Sequence, residues 1–255
     1  VARVSGPGGG PRTLHFGDGT TADCDLVIAA DGAFSRIRPA VSAAVPQYTG
    51  VSFLEAWFDD VEARHADLAR LVGLGGAHAA DGERGVFAQR SSGDHIRVYI
   101  IRRAAAGWIA AAGLSAGDTA GLRARLLHEF AAWSPCMRQL IAGNDGCYVE
   151  RPIFALPVPH TWEHSPTVTL LGDAAHVMPP LGVGVNLAML DASDLALALA
   201  RSASVDEAVR GYEDVILPRS ATMAALLEGG AQHLLEGAVP DFGEPDFSGD
   251  GKTRS

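Results

Sequence analysis

One run constrains this chain more than any other: Leu170-Leu171-Gly172-Asp173-Ala174-Ala175-His176-Val177-Met178-Pro179-Pro180-Leu181-Gly182-Val183-Gly184-Val185-Asn186. Its apolar start predicts a strand buried on both faces. An acidic turn follows, then two prolines and a Gly-x-Gly that opens a helical pattern. Ligands of open α/β sheets bind beyond the carboxyl ends of strands, and this run sets a carboxylate, bare backbone and a helix N-terminus there. Asp173 can accept hydrogen bonds from sugar or polyol hydroxyls. Gly182 and Gly184 let a flat ring lie against the backbone, and the free amides of the helix start favour negative charge. Glycines alone would fit a plain strand–loop–helix connection. Their co-occurrence with Gly-Asp-Ala-Ala-His, Pro-Pro, Asn186 and Asp191-Ala192 is far more specific. A dinucleotide fingerprint on Gly182-Val183-Gly184 fails, because ten residues separate Leu171 from Gly182 and Leu187 holds the third glycine position.

A second strand end carries chemistry. Asp25–Ala30 is a continuous apolar run ending in Asp31-Gly32, followed by Ser35, Arg36 and Arg38. Asp31 and the backbone of Gly32 can approach a pyrophosphate or its sugar, and Arg36 or Arg38 can neutralise phosphate.

Between these runs the pattern changes to strands. Val1–Val4 and Thr13–Phe16 read as short strands, with Asp18-Gly19 as a hairpin turn. Val51–Phe58 alternates, placing Val51, Phe53, Glu55 and Trp57 on one face. Gly85–Arg90 and His95–Arg102 alternate too, and Gly107–Leu114 is expected as a fourth strand of an antiparallel sheet. Helices are predicted over Ala63–Val72, Thr119–Trp133, Pro135–Ile141 and Gly184–Ala200, with Leu126, Phe130 and Trp133 as helix core. Tyr148–Leu156 reads as extended. Ser204 caps a last long helix that Pro218 is expected to kink or break. The tail Gly237–Ser255, with two copies of Pro-Asp-Phe, reads as disordered.

With 47% hydrophobic residues in 255, the chain can build a sizeable core. Its net charge of −10 argues against nucleic acid or an anionic membrane as partner. No apolar run approaches the ~20 residues of a membrane span. Cys24, Cys136 and Cys147 are odd in number and irregularly spaced, which reads as reduced thiols in a cytoplasmic protein. His160 and His164 stand four apart, a metal spacing on a helix, but the prolines at 157, 159 and 166 argue against a helix and so against a metal. His176 reads as structural, and no Ser–His–Asp or Cys–His arrangement has supporting context.

Together these residues resemble the class A flavin-dependent monooxygenases, the aromatic hydroxylase group, and within it the tetracycline-inactivating branch. The likeness rests on Asp25-Leu26-Val27-Ile28 leading into Asp31-Gly32…Ser35…Arg38, on Thr49-Gly50, on Gly172–Asn186 with its two prolines, and on Phe130-x-x-Trp133 and a late Pro-Asp-Phe. The resemblance implies a mixed α/β (α+β) fold: a partial FAD-binding Rossmann-like domain, an antiparallel substrate-binding sheet and C-terminal helices. The expected division is 1–48 as part of the FAD-binding domain, 49–155 as the substrate sheet, 156–236 as FAD-binding continuation and C-terminal helices, and 237–255 as tail. FAD would be the cofactor and NADPH or NADH the reductant. The partners would be O2 and an aromatic or polyketide-like small molecule, with the full-length parent a monomer.

Residue by residue, Asp173 would bind the FAD ribitol, with Gly172 and Ala174 holding its backbone. Pro180, Gly182, Val183, Gly184, Val185 and Asn186 would line the flavin ring, and Asp31 and Gly32 would lie near the pyrophosphate. Glu55, Trp57, Phe87 and Arg97 are candidates for substrate contact, and as alternating sheet residues they fit a plain core or solvent face equally well. No catalytic residue is assigned, because flavin oxygenation needs positioning and a dry pocket more than an acid–base pair.

The family's opening Gly-x-Gly-x-x-Gly is not found. Gly73-Leu74-Gly75-Gly76-Ala77-His78 comes nearest, without the last glycine or a preceding buried strand. The Pro180-Leu181-Gly182 spacing is one residue shorter than the commoner form, and no basic cluster suited to tetracycline stands near Gly76-Ala77-His78. The chain, starting at Val1 in mid-strand, is therefore expected to be N-terminally truncated. The alternative expectation is an inactive fragment or small-molecule-binding module unable to hold FAD alone, with an exposed apolar face that makes it prone to aggregate.

Overall fold

The computed structural model describes residues 1–6, 10–115 and 117–236. The N-terminal stretch forms an antiparallel sheet of β1 (Arg3–Ser5), β2 (Arg12–His15) and β3 (Thr21–Cys24). The Asp18-Gly19 turn joins β2 to β3, its Asp18 carboxylate accepting from Thr20 N and Oγ1. β4 (Val27–Ala29) is the core of the Asp25–Ala30 run. It pairs in parallel with β10 (Val168–Leu170), Ile28 opposite Thr169, so the two apolar runs of the sequence meet although far apart in the chain.

The long strand β5 (Gln47–Phe58) organises the second sheet. With β6 (Gly76–Ala80), β7 (Arg84–Ser91), β8 (His95–Arg103) and β9 (Val149–Ala155) it forms an antiparallel sheet in the order β6-β7-β8-β5-β9. Alternation along β5 splits its side chains between two cores. Leu54, Ala56 and Phe58 pack with Leu68, Leu122, Leu126, Phe130 and Leu140 from helices α2 (Ala66–Val72), α4 (Thr119–Glu129) and α5 (Pro135–Ala142). Val51 and Phe53 face the opposite way, against Ala231 and Leu235 of a C-terminal helix, Gly230–Glu236.

Several expectations need correction. Gly107–Leu114 is not a strand. Trp108–Ala111 forms a short helix, α3, entered through the left-handed Gly107. Trp108 and Ile109 both pack into the core beneath the long sheet, and the flanking alanines favour helix. The Ala63–Val72 helix is two helices, α1 (Val61–Arg64) and α2, divided at His65. The His65 ring leaves the helical path to donate to Asp145 at 2.9 Å. The helix over 119–133 stops at Glu129. The strand β6 has no predicted counterpart, because Gly-Ala-His-Ala-Ala lacks the β-branched residues that mark strands.

After β10 come α6 (Asp173–His176), α7 (Gly184–Arg201), α8 (Val205–Leu226) and the C-terminal helix α9 (Gly230–Glu236). Ser204 caps α8, accepting from Glu207 N. Pro218 does not break α8. Its missing N–H removes one bond, but buried Tyr212, Ile216 and Ser220 hold the helix on both sides of it, and Arg219 anchors it to Asp191 and Asp194 of α7. No helix among the described residues is long and apolar enough to cross a membrane. The tail 237–255 lies outside the described residues.

Candidate functional site

The acidic turn is built by geometry that only glycine accepts. Gly172 sits at φ +59°, ψ −143°, and a Cβ there would lie 3.3 Å from Ala188 Cβ of α7. The chain then turns into α6, leaving the Asp173 side chain exposed at the strand end. Beneath it one buried carboxylate gathers three elements. Asp191 Oδ2 accepts from Gly172 N at 2.9 Å and from His176 Nε2 at 2.6 Å, and Oδ1 accepts from Arg219 of α8 at 3.0 Å. Burial opposes ionisation of Asp191, but these bonds outweigh it and hold the carboxyl below its usual range. His176 therefore braces the loop, as a structural residue would.

Above this brace the glycine loop is open. Gly182 has φ +92°, and neither Gly182 nor Gly184 has any atom within 4 Å of an added Cβ. Val183 gives α7 no side-chain cap, and Leu187 N is bonded to Val183 O. The preceding amides of Gly184, Val185 and Asn186 are left to a ligand or solvent, with Val185 and Asn186 exposed. A carboxylate, bare backbone and a free helix N-terminus at one strand end suit the polyol and flat ring of a flavin.

The Asp31 turn stands beside this loop. Asp31 Oδ2 accepts from Arg36 N at 2.8 Å, and Gly32 takes φ +82° with open space before it. The expectation that Arg38 neutralises phosphate is corrected. Its side chain is buried and donates to the carbonyls of Ala174, Ala33 and Asp173, so it ties the two strand ends together. Burial lowers its pKa from the ordinary guanidinium value, with Asp31 and Asp173 opposing.

All four sheet candidates converge on one cavity of about 820 Å³. Glu55, Trp57, Phe87 and Arg97 line it, and Pro180, Leu181 and Gly182 of the glycine loop close one side. The rungs of the sheet explain the convergence. Phe87, Tyr99 and Glu55 lie abreast on β7, β8 and β5, and Gln89, Arg97 and Trp57 form the next rung on the same face. Tyr99, Ile101 and Arg151 also line this space but were missed, although period-two alternation from Arg97 along β8 would have found the first two. Asp31, Gly32, Asp173, Val183, Gly184, Val185 and Asn186 are not among its lining residues. His160 and His164 diverge: His160 donates to Ala175 O and meets Ser42, while His164 bonds Asp206 and Glu213.

A glycine-lined loop at a parallel strand end, joined to a cavity on an antiparallel sheet, is the arrangement that the resemblance to flavin-dependent hydroxylases implies. Residues 160–223 match the family model described as FAD binding domain. The chain is 31% identical over 211 residues to 3-amino-4-hydroxybenzoate 2-monooxygenase of Streptomyces cremeus, covering 82% of this chain and 50% of that protein. It matches the solved structure of Klebsiella pneumoniae HpxO complexed with FAD and uric acid at TM-score 0.75 and 27% identity, over 92% of this chain and 57% of that one. The tetracycline destructase Tet(51) shares the fold at TM-score 0.60 and 17% identity, over 95% of this chain and 62% of that one. The chain is similar to FAD-dependent monooxygenases, and it spans about half the length of the curated relatives it matches.

Proposed function

We propose that this chain forms the flavin-ring end and the substrate cavity of an FAD-dependent monooxygenase acting on an aromatic or polyketide-like small molecule. The observation that supports this reading is the sharing of Pro180–Gly182 between the glycine loop and the sheet cavity, since a ring held by the loop would face a substrate held by the sheet. In this reading Asp173 holds ribitol hydroxyls, with Gly172 and Ala174 fixing its backbone. Pro180, Gly182, Val183, Gly184, Val185 and Asn186 line the ring, and Asp31 and Gly32 lie toward the pyrophosphate.

FAD, reduced by NADPH or NADH, would supply activation of O2 for transfer of one oxygen atom to the substrate. The free amides of α7 would stabilise negative charge on the ring. Phe87, Trp57 and Tyr99 would exclude water and orient the substrate plane, with Glu55 and Arg97 as polar contacts. A tetracycline-like antibiotic is one member of the polyketide-like class in this reading. The division at 48 and 155, the cytoplasmic site and the monomeric parent belong to the same reading.

The test is titration of the purified chain with FAD, followed by absorbance and by NADPH consumption. A bound flavin spectrum approaching saturation is expected. Protein that stays colourless and gains no NADPH oxidase activity overturns the reading and leaves a small-molecule-binding module.

A further inference from the structure

A second cavity, of about 280 Å³, adjoins the segment that leads into the glycine loop. Consecutive residues divide the two spaces. Met178 and Pro179 line this one, Pro180, Leu181 and Gly182 line the sheet cavity, and no described residue lines both. The start of β5 at Gln47–Thr49, the segment that follows β9 and the end of α8 at Ala224 form its other walls. A mostly apolar concavity with a few convergent polar groups is the usual form of a small-molecule site.

The hydrogen bonding of this lining is one-sided. Tyr48 OH donates to Ala104 O, Thr49 Oγ1 to Ile153 O and Ser220 Oγ to Leu217 O. His160 gives its Nδ1–H to Ala175 O and accepts from Ser42 Oγ at Nε2. Gln232 Nε2 donates to Thr49 O at 3.0 Å. These donors are spent within the protein, and what remains is lone pairs. Gln232 Oε1 has no donor among the described residues. The His176 side chain is only 3% exposed, and with its Nε2–H given to Asp191 the neutral ring keeps a lone pair at Nδ1, which has no partner. Glu228 is exposed at the cavity's edge and is the one carboxylate of the described lining, which includes no Lys or Arg. Pro157 and Pro179 bring no N–H. Gln47, itself exposed, is the one lining side chain that keeps a donor. Buried acceptors without donors are costly, and a ligand that donates removes that cost.

We propose that this cavity is a second small-molecule site, separate from the sheet cavity, and that it takes an organic amine. The amine head donates to the free lone pairs with its charge toward Glu228, and the apolar body packs on Leu156, Met178 and Leu227. A cation suits a lining whose one full charge is a carboxylate and whose side-chain donors are spent. The proposal does not depend on the flavin reading, and its test needs no flavin.

The test is calorimetric titration of the chain with phenethylamine, 2-phenylethanol and 3-phenylpropionate, which share a body and differ in the head. The amine is expected to bind at least about tenfold tighter than the acid, as a charge-assisted hydrogen bond provides, with the alcohol between them. Glu228→Lys changes an exposed side chain and should reverse the order of amine and acid. Ala224→Trp fills the cavity from α8 and should abolish amine binding, which separates this site from the sheet cavity and its Glu55. Should that variant not fold, Ala224→Leu needs less room and should weaken the amine at least about tenfold. Equal affinities for the three probes, an order that Glu228→Lys leaves unchanged, or amine binding that survives the filling of the cavity overturns the proposal. So does binding of no probe, the result for a cavity that holds water alone.

Discussion

His176 and Asp191 form a buried hydrogen bond, Nε2 to Oδ2 at 2.6 Å, that closes the glycine loop at its base. One residue ends α6 and the other lies in the second turn of α7, so the pair fixes where the loop between them begins and ends. Asp191 also holds Gly172 N and Arg219, which ties strand end, loop and α8 to one carboxylate.

Asp191→Asn should therefore cost about 3 kcal/mol or more, the range for removing one partner of a buried ion pair. Arg219 would lose the buried carboxylate that faces its guanidinium, and His176 Nε2 and Gly172 N would lose their charged acceptor. Denaturant unfolding of the two proteins side by side measures it, and a loss below about 1 kcal/mol would count against the clasp.

Gly184→Leu separates cofactor cradle from fold. An added Cβ at Gly184 meets nothing within 4 Å, and leucine is the better helix former by up to about 1 kcal/mol. The melting temperature should hold or rise while FAD affinity falls at least about tenfold, because the side chain fills the space the ring would take. Flavin fluorescence titration reads the second quantity.

Leu181 and Gly230 should be coupled. A Cβ on Gly230 would overlap Leu181 Cδ1, the far end of that side chain, so Gly230→Ala must turn the leucine aside at a cost of about 1 kcal/mol. In the double variant with Leu181→Ala the two losses should add to less than their sum. A double-mutant cycle in urea with zero coupling would show that α9 and the loop move independently.

Stability should shift with pH through two histidines of opposite sign. Burial works against charge on His164, but hydrogen bonds to Asp206 and Glu213 outweigh it and raise its pKa. A raised folded pKa means that its stabilisation is complete below about pH 6.5, the unfolded value, and fades as pH climbs through the folded one. The melting-temperature loss of His164→Gln should thus be largest near about pH 6 and shrink toward about pH 8. His160 behaves oppositely: burial, opposed by its bond to Ala175 O, keeps its pKa low, so its contribution is present above about pH 6.5 and fades as pH falls. Thermal melts of His164→Gln and His160→Gln across this range decide both.

Local periodicity and turn chemistry determined much of this protein. Apolar composition located β4 and β10, although β4 leaves Ile28 exposed while β10 is buried throughout, and alternation along β5 named the face that carries Glu55 and Trp57. The Gly172–Asn186 spacing located the loop because strand end, turn and helix start are consecutive in the chain. Tertiary structure alone decided what depends on distant partners. Arg38 reads as a phosphate ligand until Ala174, in contact across 136 residues, claims it. Pro218 reads as a helix breaker until burial on both sides and Arg219 hold α8 together. Arg151 gains meaning only when β9 pairs with β5 and brings it to Glu55, because a charge's role is set by what lies within a few ångströms, and sequence separation carries no such distance.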